Sequence, residues 1–240
     1  MIKGILFDKD GTLIEFNSFW VESAYSMIDS FVNEYSKDNR IEKNLEIAHL
    51  IGLDGNDVKE DALLAAYTSE DLANVISHSL QVEKHLIHKR INDFFYEEVV
   101  NRSDQMKAVG NLVLLFKKLK ELHFRIGVVT ADNLNVTQFT LKKLGINEYV
   151  DFIATADTYK KKPNVEAMQV FCDKYNLQRN EVIHIGDTMV DMEFAKHGLL
   201  GVGVLSGVSS EVTLRKFTPY VIETVEHLFD REGRFLFEGK

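Results

Sequence analysis

Short runs of apolar residues recur along the chain and are separated by longer segments with helical periodicity. Most of these runs are continuous rather than alternating apolar and polar, a pattern typical of parallel strands that are covered on both faces. Six strands are predicted from them: 3–8 (KGILFD), 124–130 (FRIGVVT), 152–156 (FIATA), 182–187 (VIHIGD), 200–205 (LGVGVL) and 220–224 (YVIET).

Helical segments lie between the predicted strands. In residues 109–122 the apolar side chains recur every three to four positions, which predicts a helix with one buried face. Similar segments follow the second, third and fourth strands, at 135–146, 164–177 and 190–198. This alternation of strand and helix predicts an α/β fold, a doubly wound parallel sheet with right-handed crossovers.

Residues 15–107 interrupt the alternation, because their patterns are helical throughout and contain no convincing strand. The helical segments lie at 18–35, 40–53, 56–67 and 69–100. We therefore predict a core domain made of residues 1–14 and 108–240, with an inserted all-helical cap domain at 15–107. An insertion directly after the first strand would lie over the carboxyl end of that strand, where open α/β sheets bind ligands.

The composition narrows the classes of function. The chain has 240 residues, of which 45% are apolar and 27% charged, as in an ordinary globular protein. Its formal net charge is −9, and its longest uninterrupted run of lysine or arginine is Lys160–Lys162. Because nucleic acids and anionic membranes bind basic patches, we expect neither as a partner. A monomer and a homodimer both remain open.

The single cysteine, Cys172, cannot form an internal disulfide, which favours a reducing compartment. No apolar run approaches the roughly 18 residues of a membrane span. The N-terminal apolar stretch ends at Asp8, which leaves no signal-peptide core. These features predict a cytoplasmic protein.

Two aspartates, Asp8 and Asp10, end the first predicted strand, and the Asp-Gly turn signal follows at once. On a strand, residues two positions apart lie on one face, about 6.5–7 Å apart. Two carboxylates on one face repel unless a proton or a cation intervenes, and Mg²⁺ prefers carboxylate and carbonyl oxygens. The pair by itself is compatible with a turn as well as with a metal site.

The fourth predicted strand also ends in acidic residues. Asp187 closes the strand and Asp191 lies one helical turn later, so both would lie on one face of the following helix. Asp187 could cap that helix, or it could add a second acidic group to the same cation. The two roles are compatible.

Two further strand ends offer groups that bind anions. Thr130, at the end of the second strand, could cap the next helix or donate its hydroxyl to a phosphate group beside the helix N-terminus. Lys162 follows the third strand and precedes Pro163, which fixes the backbone, so its ammonium could neutralise phosphate oxygens. Lys160 and Lys161 are expected to lie in solvent.

The ordered set DKDGTL, VVTAD, KKP and GDTMVD resembles the four motifs of the haloacid dehalogenase (HAD) superfamily. More narrowly, it is similar to phosphoglycolate-phosphatase-like members, which carry a helical cap between the first two strands of a Rossmann-like core. The resemblance extends from Asp8 to Asp191 and includes a cap of matching size and position. It implies a Mg²⁺-dependent phosphatase that hydrolyses a small phosphorylated metabolite through an aspartyl-phosphate.

The resemblance also implies roles for the acidic residues. Asp8 would attack phosphorus, a known form of covalent catalysis by carboxylates. Asp10 would carry a proton, give it to the departing alcohol and then activate water as a base. Mg²⁺ would bind Asp8, Asp187 and the backbone carbonyl of Asp10, with Asp191 bound directly or through water.

For the phosphate group, the resemblance implies Thr130 and Lys162, with help from the amide of Gly11. One position departs from the family: Lys9, between the two aspartates, is commonly apolar in relatives. Its side chain is expected to point away from both aspartates, with little effect on the chemistry.

Other activities on the same kind of core can be weighed against these residues. Asp10 counts against dehalogenation and phosphonate hydrolysis, and receiver domains lack both the DxDGT motif and the helical insertion. A sugar-phosphate mutase and a non-catalytic phospho-ligand-binding domain remain open. The cap would select the substrate, which the sequence does not identify. Phe16, Phe19 and Trp20 could face the pocket or pack in the hinge.

Overall fold

The computed structural model describes residues 1–37, 39–66 and 68–240. Its strands, in chain order, are β1 (Gly4–Phe7), β2 (Leu53–Asp54), β3 (Asp57–Val58), β4 (Arg125–Val129), β5 (Phe152–Ala154), β6 (Val182–Gly186), β7 (Leu200–Val204) and β8 (Val221–Ile222). Six of them form one parallel sheet in the order β5-β4-β1-β6-β7-β8. The six predicted strands and the doubly wound α/β class are confirmed.

Helices cover the sheet and build the cap. They are α1 (Glu22–Tyr35), α2 (Arg40–Leu50), α3 (Leu63–Ala66), α4 (Ser69–Leu80), α5 (Lys84–Asn101), α6 (Leu112–Glu121), α7 (Leu134–Lys143), α8 (Glu166–Tyr175), α9 (Met189–Ala195) and α10 (Glu211–Leu214). A π-helical turn at Asn17–Val21 precedes α1, and short 3-10 turns lie at Ser103–Gln105, Asn147–Tyr149, Arg179–Glu181 and Val225–Leu228. No described helix combines the length and apolar character that crossing a membrane requires.

The register of the sheet aligns the carboxyl ends of β1, β4 and β6. Phe7, the last residue of β1, pairs with Val128 of β4 on one side and Ile185 of β6 on the other. The loops that follow these strands therefore leave the sheet side by side, at its carboxyl edge. This alignment is what places residues distant in sequence in one site.

The sheet is apolar on both faces, as the continuous runs predict. Ile5 and Phe7 pack into a cluster that includes Phe116 of α6. Leu6, which points to the opposite face, packs into a cluster that includes Phe171 of α8 and the buried Cys172. Because both faces of β1 are covered, every residue of the strand is buried and none is polar.

The cap has an apolar cluster of its own. Except for Val136, the buried residues of this cluster lie between Ile14 and Val99. They are supplied by the π-helical turn, α1, α2, α4 and α5, together with neighbouring loop residues. Such a cluster is what an inserted domain needs in order to pack, and the boundaries at 15 and 107 stay a prediction.

Three details of the cap differ from the prediction. Residues 15–107 contain a short antiparallel ribbon, β2–β3, because Gly55 and Asn56 supply a two-residue hairpin turn between the paired Asp54 and Asp57. The predicted helical segment 56–67 is helical only at Leu63–Ala66, and its last residue, Tyr67, lies outside the described residues. The segment 69–100 is divided into α4 and α5 at Gln81, which has a left-handed backbone.

Candidate active site

The loops after β1, β4, β5 and β6 surround a cavity of about 50 Å³ at the carboxyl edge of the sheet. The predicted residues that line it are Asp8, Asp10, Thr130, Lys162 and Asp191. Cap residues that also line it are Phe16, Trp20, Leu64, Ala65, Ala66, Ser69, Leu72 and Phe95. The cavity is therefore enclosed between the core and a closed cap.

Asp8 directly follows β1 and is almost fully buried. Its Oδ1 accepts a hydrogen bond of 2.6 Å from Nζ of Lys162. Burial raises the pKa of Asp8 to about 7, with the carboxylates of Asp191 and Asp10 adding to the effect and Lys162 opposing it. Asp8 is thus a buried carboxyl group with one oxygen held by a cation.

Lys162 bridges two of the aspartates. Its Nζ lies 2.6 Å from Oδ1 of Asp8 and 2.6 Å from Oδ1 of Asp191. Burial would lower the pKa of Lys162, but the two carboxylates outweigh burial and raise it overall. The site therefore contains a fixed ammonium ion at neutral pH.

Asp191 is surrounded by donors. Its Oδ2 accepts from the backbone N–H (3.1 Å) and the hydroxyl (2.5 Å) of Thr188, which caps α9. Its Oδ1 accepts from Lys162 and lies 2.9 Å from Nε2 of the buried His184. Burial acts to raise the pKa of Asp191, but Lys162 and His184 lower it overall, so Asp191 is a carboxylate. The helix cap is thus Thr188 rather than Asp187.

Among Asp8, Asp187 and Asp191, Asp187 has the fewest contacts that offset the charge of its carboxylate. It is fully buried, and its partners are the backbone N–H of Val208 (2.9 Å) and the hydroxyl of Thr12 (3.3 Å). No ion pair among the described residues includes Asp187. Burial raises its pKa well above the ordinary value, and the carboxylates of Asp8 and Asp191 add to this effect.

The acidic cluster fits a hard cation. Oxygens of Asp8, Asp187 and Asp191 lie within 4.8 Å of one another. A buried carboxylate that lacks a cationic partner is costly, and a divalent ion bound by carboxylate oxygens removes that cost. The cluster could therefore hold a metal ion.

Two glycines allow the backbone to approach Asp187. A Cβ atom on Gly11 would lie 2.4 Å from Oδ2 of Asp187, and one on Gly207 would lie 2.0 Å from it. Gly11 also has a φ of +80°, and its N–H donates to the carbonyl of Ile14 at 2.8 Å. The turn already uses this N–H. The Gly11 amide is therefore not available to a phosphate group, contrary to the prediction.

Thr130 does not cap the helix that follows it. The cap of α7 is Asn133, whose side chain accepts from the N–H of Val136. The hydroxyl of Thr130 accepts from the N–H of Asp132 at 3.2 Å, and the residue lines the cavity. Of the two roles that the sequence left open for Thr130, capping is excluded.

Comparison with known proteins adds a decisive observation. The sequence model of the haloacid dehalogenase-like hydrolases matches residues 2–198. The chain belongs to the haloacid dehalogenase-like hydrolase family. It is therefore an enzyme of the hydrolase class, as the four motifs predict.

Individual members of the family are similar over nearly the whole chain. The glyceraldehyde 3-phosphate phosphatase of Methanocaldococcus jannaschii is 24% identical over 238 residues, covering 96% of each chain. The pyrophosphatase PpaX of Bacillus velezensis is 25% identical over 236 residues, covering 97% of each chain. The crystal structure of β-phosphoglucomutase from Clostridium difficile superposes with a TM-score of 0.67 at 19% identity, covering 97% of this chain and 95% of that one.

Within this HAD-like hydrolase, Lys9 lies where the sequence did not predict it. Its fully buried Nζ is 2.5 Å from Oδ1 of Asp10 and 2.8 Å from Oδ2 of Asp132. The prediction that Lys9 points away from Asp10 is wrong, because β1 ends at Phe7 and the chain turns immediately. The alternation of a strand no longer applies to residues 8–10.

For Trp20 the sequence left two roles open, facing the pocket or packing in the hinge. Its indole N–H donates to Oδ1 of Asp10 at 2.6 Å, and Nζ of Lys9 lies 5.2 Å from the centre of its ring. Trp20 also lines the cavity, so it faces the pocket.

Several contacts hold the cap of this hydrolase against the core. Lys161 is exposed, as predicted, and its Nζ pairs with both carboxylate oxygens of Asp71 at the start of α4 (2.6 and 2.7 Å). The N–H of Ser210 donates to Oε1 of Glu60 at 3.0 Å. These contacts cross between the two parts of the chain and stabilise the closed arrangement.

Proposed function

We propose that this HAD-like hydrolase is a Mg²⁺-dependent phosphatase that hydrolyses a small phosphorylated metabolite through an aspartyl-phosphate on Asp8. The observation that supports this most directly is the buried Asp8 carboxyl group, bound at one oxygen by Lys162 and facing a closed cavity beside an acidic cluster. Phosphoryl transfer needs mainly positioning and charge neutralisation, and this set of groups supplies both.

The proposed reaction has two steps. In the first, the free Oδ2 of Asp8 attacks phosphorus while Asp10 protonates the departing alcohol oxygen. In the second, Asp10 takes a proton from water, which attacks phosphorus and releases inorganic phosphate. Lys162 and the hydroxyl of Thr130 would bind the phosphoryl oxygens in both steps.

Mg²⁺ would be held by Asp8, Asp187 and the backbone carbonyl of Asp10. Because four donors already surround the carboxylate of Asp191, we propose that Asp191 binds the ion through water and that its main task is to fix Lys162. When bound, the ion supplies positive charge that offsets the carboxylates and the phosphate group.

The proposed substrate class is a small phosphate ester. The space enclosed by the closed cap is about 50 Å³, and part of its cap side is formed by Leu64, Ala65 and Ala66. Entry of a substrate requires the cap to open, as enzyme lids do. The two relatives are named for different substrates, glyceraldehyde 3-phosphate and pyrophosphate, so their names support a phosphatase without selecting one compound.

A panel of phosphorylated metabolites and p-nitrophenyl phosphate, assayed with Mg²⁺ for released phosphate, tests the proposal. Hydrolysis of at least one compound, lost on chelation of the metal, is the expected result. Transfer of the phosphate within a sugar phosphate, without release, would instead favour a mutase. If no compound is hydrolysed or rearranged, the catalytic proposal is wrong and a binding role is favoured.

A methyl group at position 207 should disturb the metal site selectively. In Gly207→Ala the new Cβ would clash with Asp187, which must move, and small displacements of catalytic groups cost about 10²-fold in rate. We expect kcat with Mg²⁺ to fall by about that factor. Melting of the metal-free variant serves as the control, because an unfolded variant would show no transition. Wild-type kcat in Gly207→Ala would contradict the role given to Asp187.

The domain boundaries and the location belong to the same proposal. We propose residues 15–107 as the cap and 1–14 with 108–240 as the core, supported by the separate apolar cluster of the cap. A cytoplasmic location is supported by the single, buried cysteine.

A further inference from the structure

Trp20 contacts the reactive end of the site from the cap side. It lies in the π-helical turn Asn17–Val21 that leads from the first motif into α1. Its ring packs edge-on against Phe19 (5.0 Å between ring centres) and against Phe95 of α5 (5.3 Å). The ring is therefore fixed by cap residues, while its N–H donates to Asp10 of the core.

Oδ1 of Asp10, which accepts the Trp20 hydrogen bond, is also contacted by a residue of the core. Nζ of Lys9 approaches Oδ1 of Asp10 at 2.5 Å and also pairs with Asp132, in the loop after β4. Oδ1 of Asp10 thus receives two donors, one from Trp20 and one from Lys9. Both of these hydrogen bonds end on Oδ1, and the carboxyl group of Asp132 also interacts with that of Asp10.

We propose that Trp20 is a positioning residue that orients Asp10 for proton transfer when the cap is closed. The ring moves with the cap and the carboxyl group belongs to the core, so the hydrogen bond links cap closure to the placement of the acid. Lys9 completes the clamp from within the core. This inference rests on the proposed function in assigning proton transfer to Asp10.

A leaving-group comparison distinguishes positioning from simple packing. Trp20→Phe keeps an aromatic ring against Phe19 and Phe95 but removes the N–H donor. p-Nitrophenolate departs without a proton, whereas an alkyl alcohol needs one, so only the alkyl ester depends on a well-placed acid. We expect kcat for the alkyl phosphate that the wild type hydrolyses fastest to fall about tenfold, and kcat for p-nitrophenyl phosphate to change less than about twofold.

Tyr25→Phe is the matched control. It also removes one hydrogen bond in the cap, from the Tyr25 hydroxyl to the carbonyl of Gly55 at 2.9 Å, but it does not touch Asp10. Both rates should stay at the wild-type value. The KM of Trp20→Phe for the alkyl phosphate should also change little, because the indole does not bind the phosphate group.

Fluorescence tests the contact without catalysis. Trp20 is the only tryptophan in the chain, so the tryptophan emission of the whole protein comes from this ring. Replacing the carboxyl acceptor by an amide in Asp10→Asn should shift the emission maximum, whereas Tyr25→Phe should leave it unchanged. An unchanged emission in Asp10→Asn would overturn the contact itself.

The kinetic outcomes separate this inference from the proposed function. If Trp20→Phe loses kcat equally for both esters, the ring only supports the cap. If its kcat for the alkyl ester is unchanged, Asp10 does not need the indole N–H as a donor. Either result overturns the positioning role while leaving a phosphatase. If the wild type hydrolyses neither ester, the proposed function fails and the positioning role fails with it.

Discussion

Asp8→Asn should lose phosphatase activity by a factor of at least about 10⁴, the scale seen when a covalent nucleophile is removed. The amide of asparagine does not attack phosphorus, so the aspartyl-phosphate cannot form, while Lys162 still has an oxygen to bind at the same position. Released phosphate, measured at saturating Mg²⁺ and substrate, gives the ratio of kcat values.

Asp173→Asn provides the matched control for this substitution. Asp173 lies exposed on α8, accepts a hydrogen bond from Gln169 and is not among the residues that line the cavity. Its variant should keep wild-type activity. If Asp8→Asn retains more than about 1% of the wild-type kcat, Asp8 is not the nucleophile.

The metal-free protein should lose stability as the pH rises from about 4 to about 7. Burial raises the pKa of Asp8 from 3.8 to about 7 in the folded protein, so the folded state binds a proton that the unfolded state releases. The stabilising contribution of this proton is complete below pH 3.8 and is lost as the pH approaches 7. The raised pKa values of Asp187 and Asp132 act in the same direction, whereas burial lowers the pKa of His184, which opposes them below pH 6.5. The pKa of Asp191 is lowered rather than raised. Its effect on stability therefore falls at pH values below this window.

Mg²⁺ should reverse this loss near neutral pH. An ion at 100 times its Kd stabilises the folded state by about 2.7 kcal/mol, which corresponds to a rise in Tm of about 5–10 °C for a chain of this size. Thermal unfolding with EDTA and with Mg²⁺, at pH 5 and at pH 7.5, measures both effects.

Asp187→Asn is the informative variant for the metal. It removes the buried carboxylate that has no ion pair, so the metal-free variant should fold, while its Tm should respond little to Mg²⁺. Asp173→Asn should respond as the wild type does. A wild-type Tm that does not change with Mg²⁺, or a metal-free stability that rises between pH 4 and 7, would contradict the assignment of the acidic cluster.

Sequence and structure agree most closely where the signal is local and repetitive. The run at residues 3–8 predicts a strand covered on both faces, and β1 is buried throughout because Ile5 and Leu6 pack into clusters on opposite sides of the sheet. The strand order makes the loops after β1, β4 and β6 neighbours, which explains why strand-end residues could be assigned to one site from the sequence.

Agreement ends where a side chain's direction depends on contacts made by other segments. The direction of the Lys9 side chain could be predicted only from strand alternation, which no longer applies once β1 ends. Its carboxylate partner Asp132 lies more than a hundred residues away in the sequence. Trp20 could be read as core packing or as a pocket residue, since its hydrogen bond to Asp10 depends on how the cap closes. Nothing in the sequence around Asp191 indicates that Lys162 and His184 both contact its carboxylate.

The sequence by itself determined the α/β class, the succession of strands along the chain and the four motifs, and it predicts the inserted cap, because these follow from periodicity and from residue types at strand ends. Only the tertiary structure decided which oxygens of the aspartates accept hydrogen bonds, that Lys9 and Trp20 both contact Asp10, and that buried Asp187 has no ion pair among the described residues. The physical reason is that hydrogen bonds and charge compensation depend on distances of a few ångströms between segments remote in the chain, which periodicity does not encode.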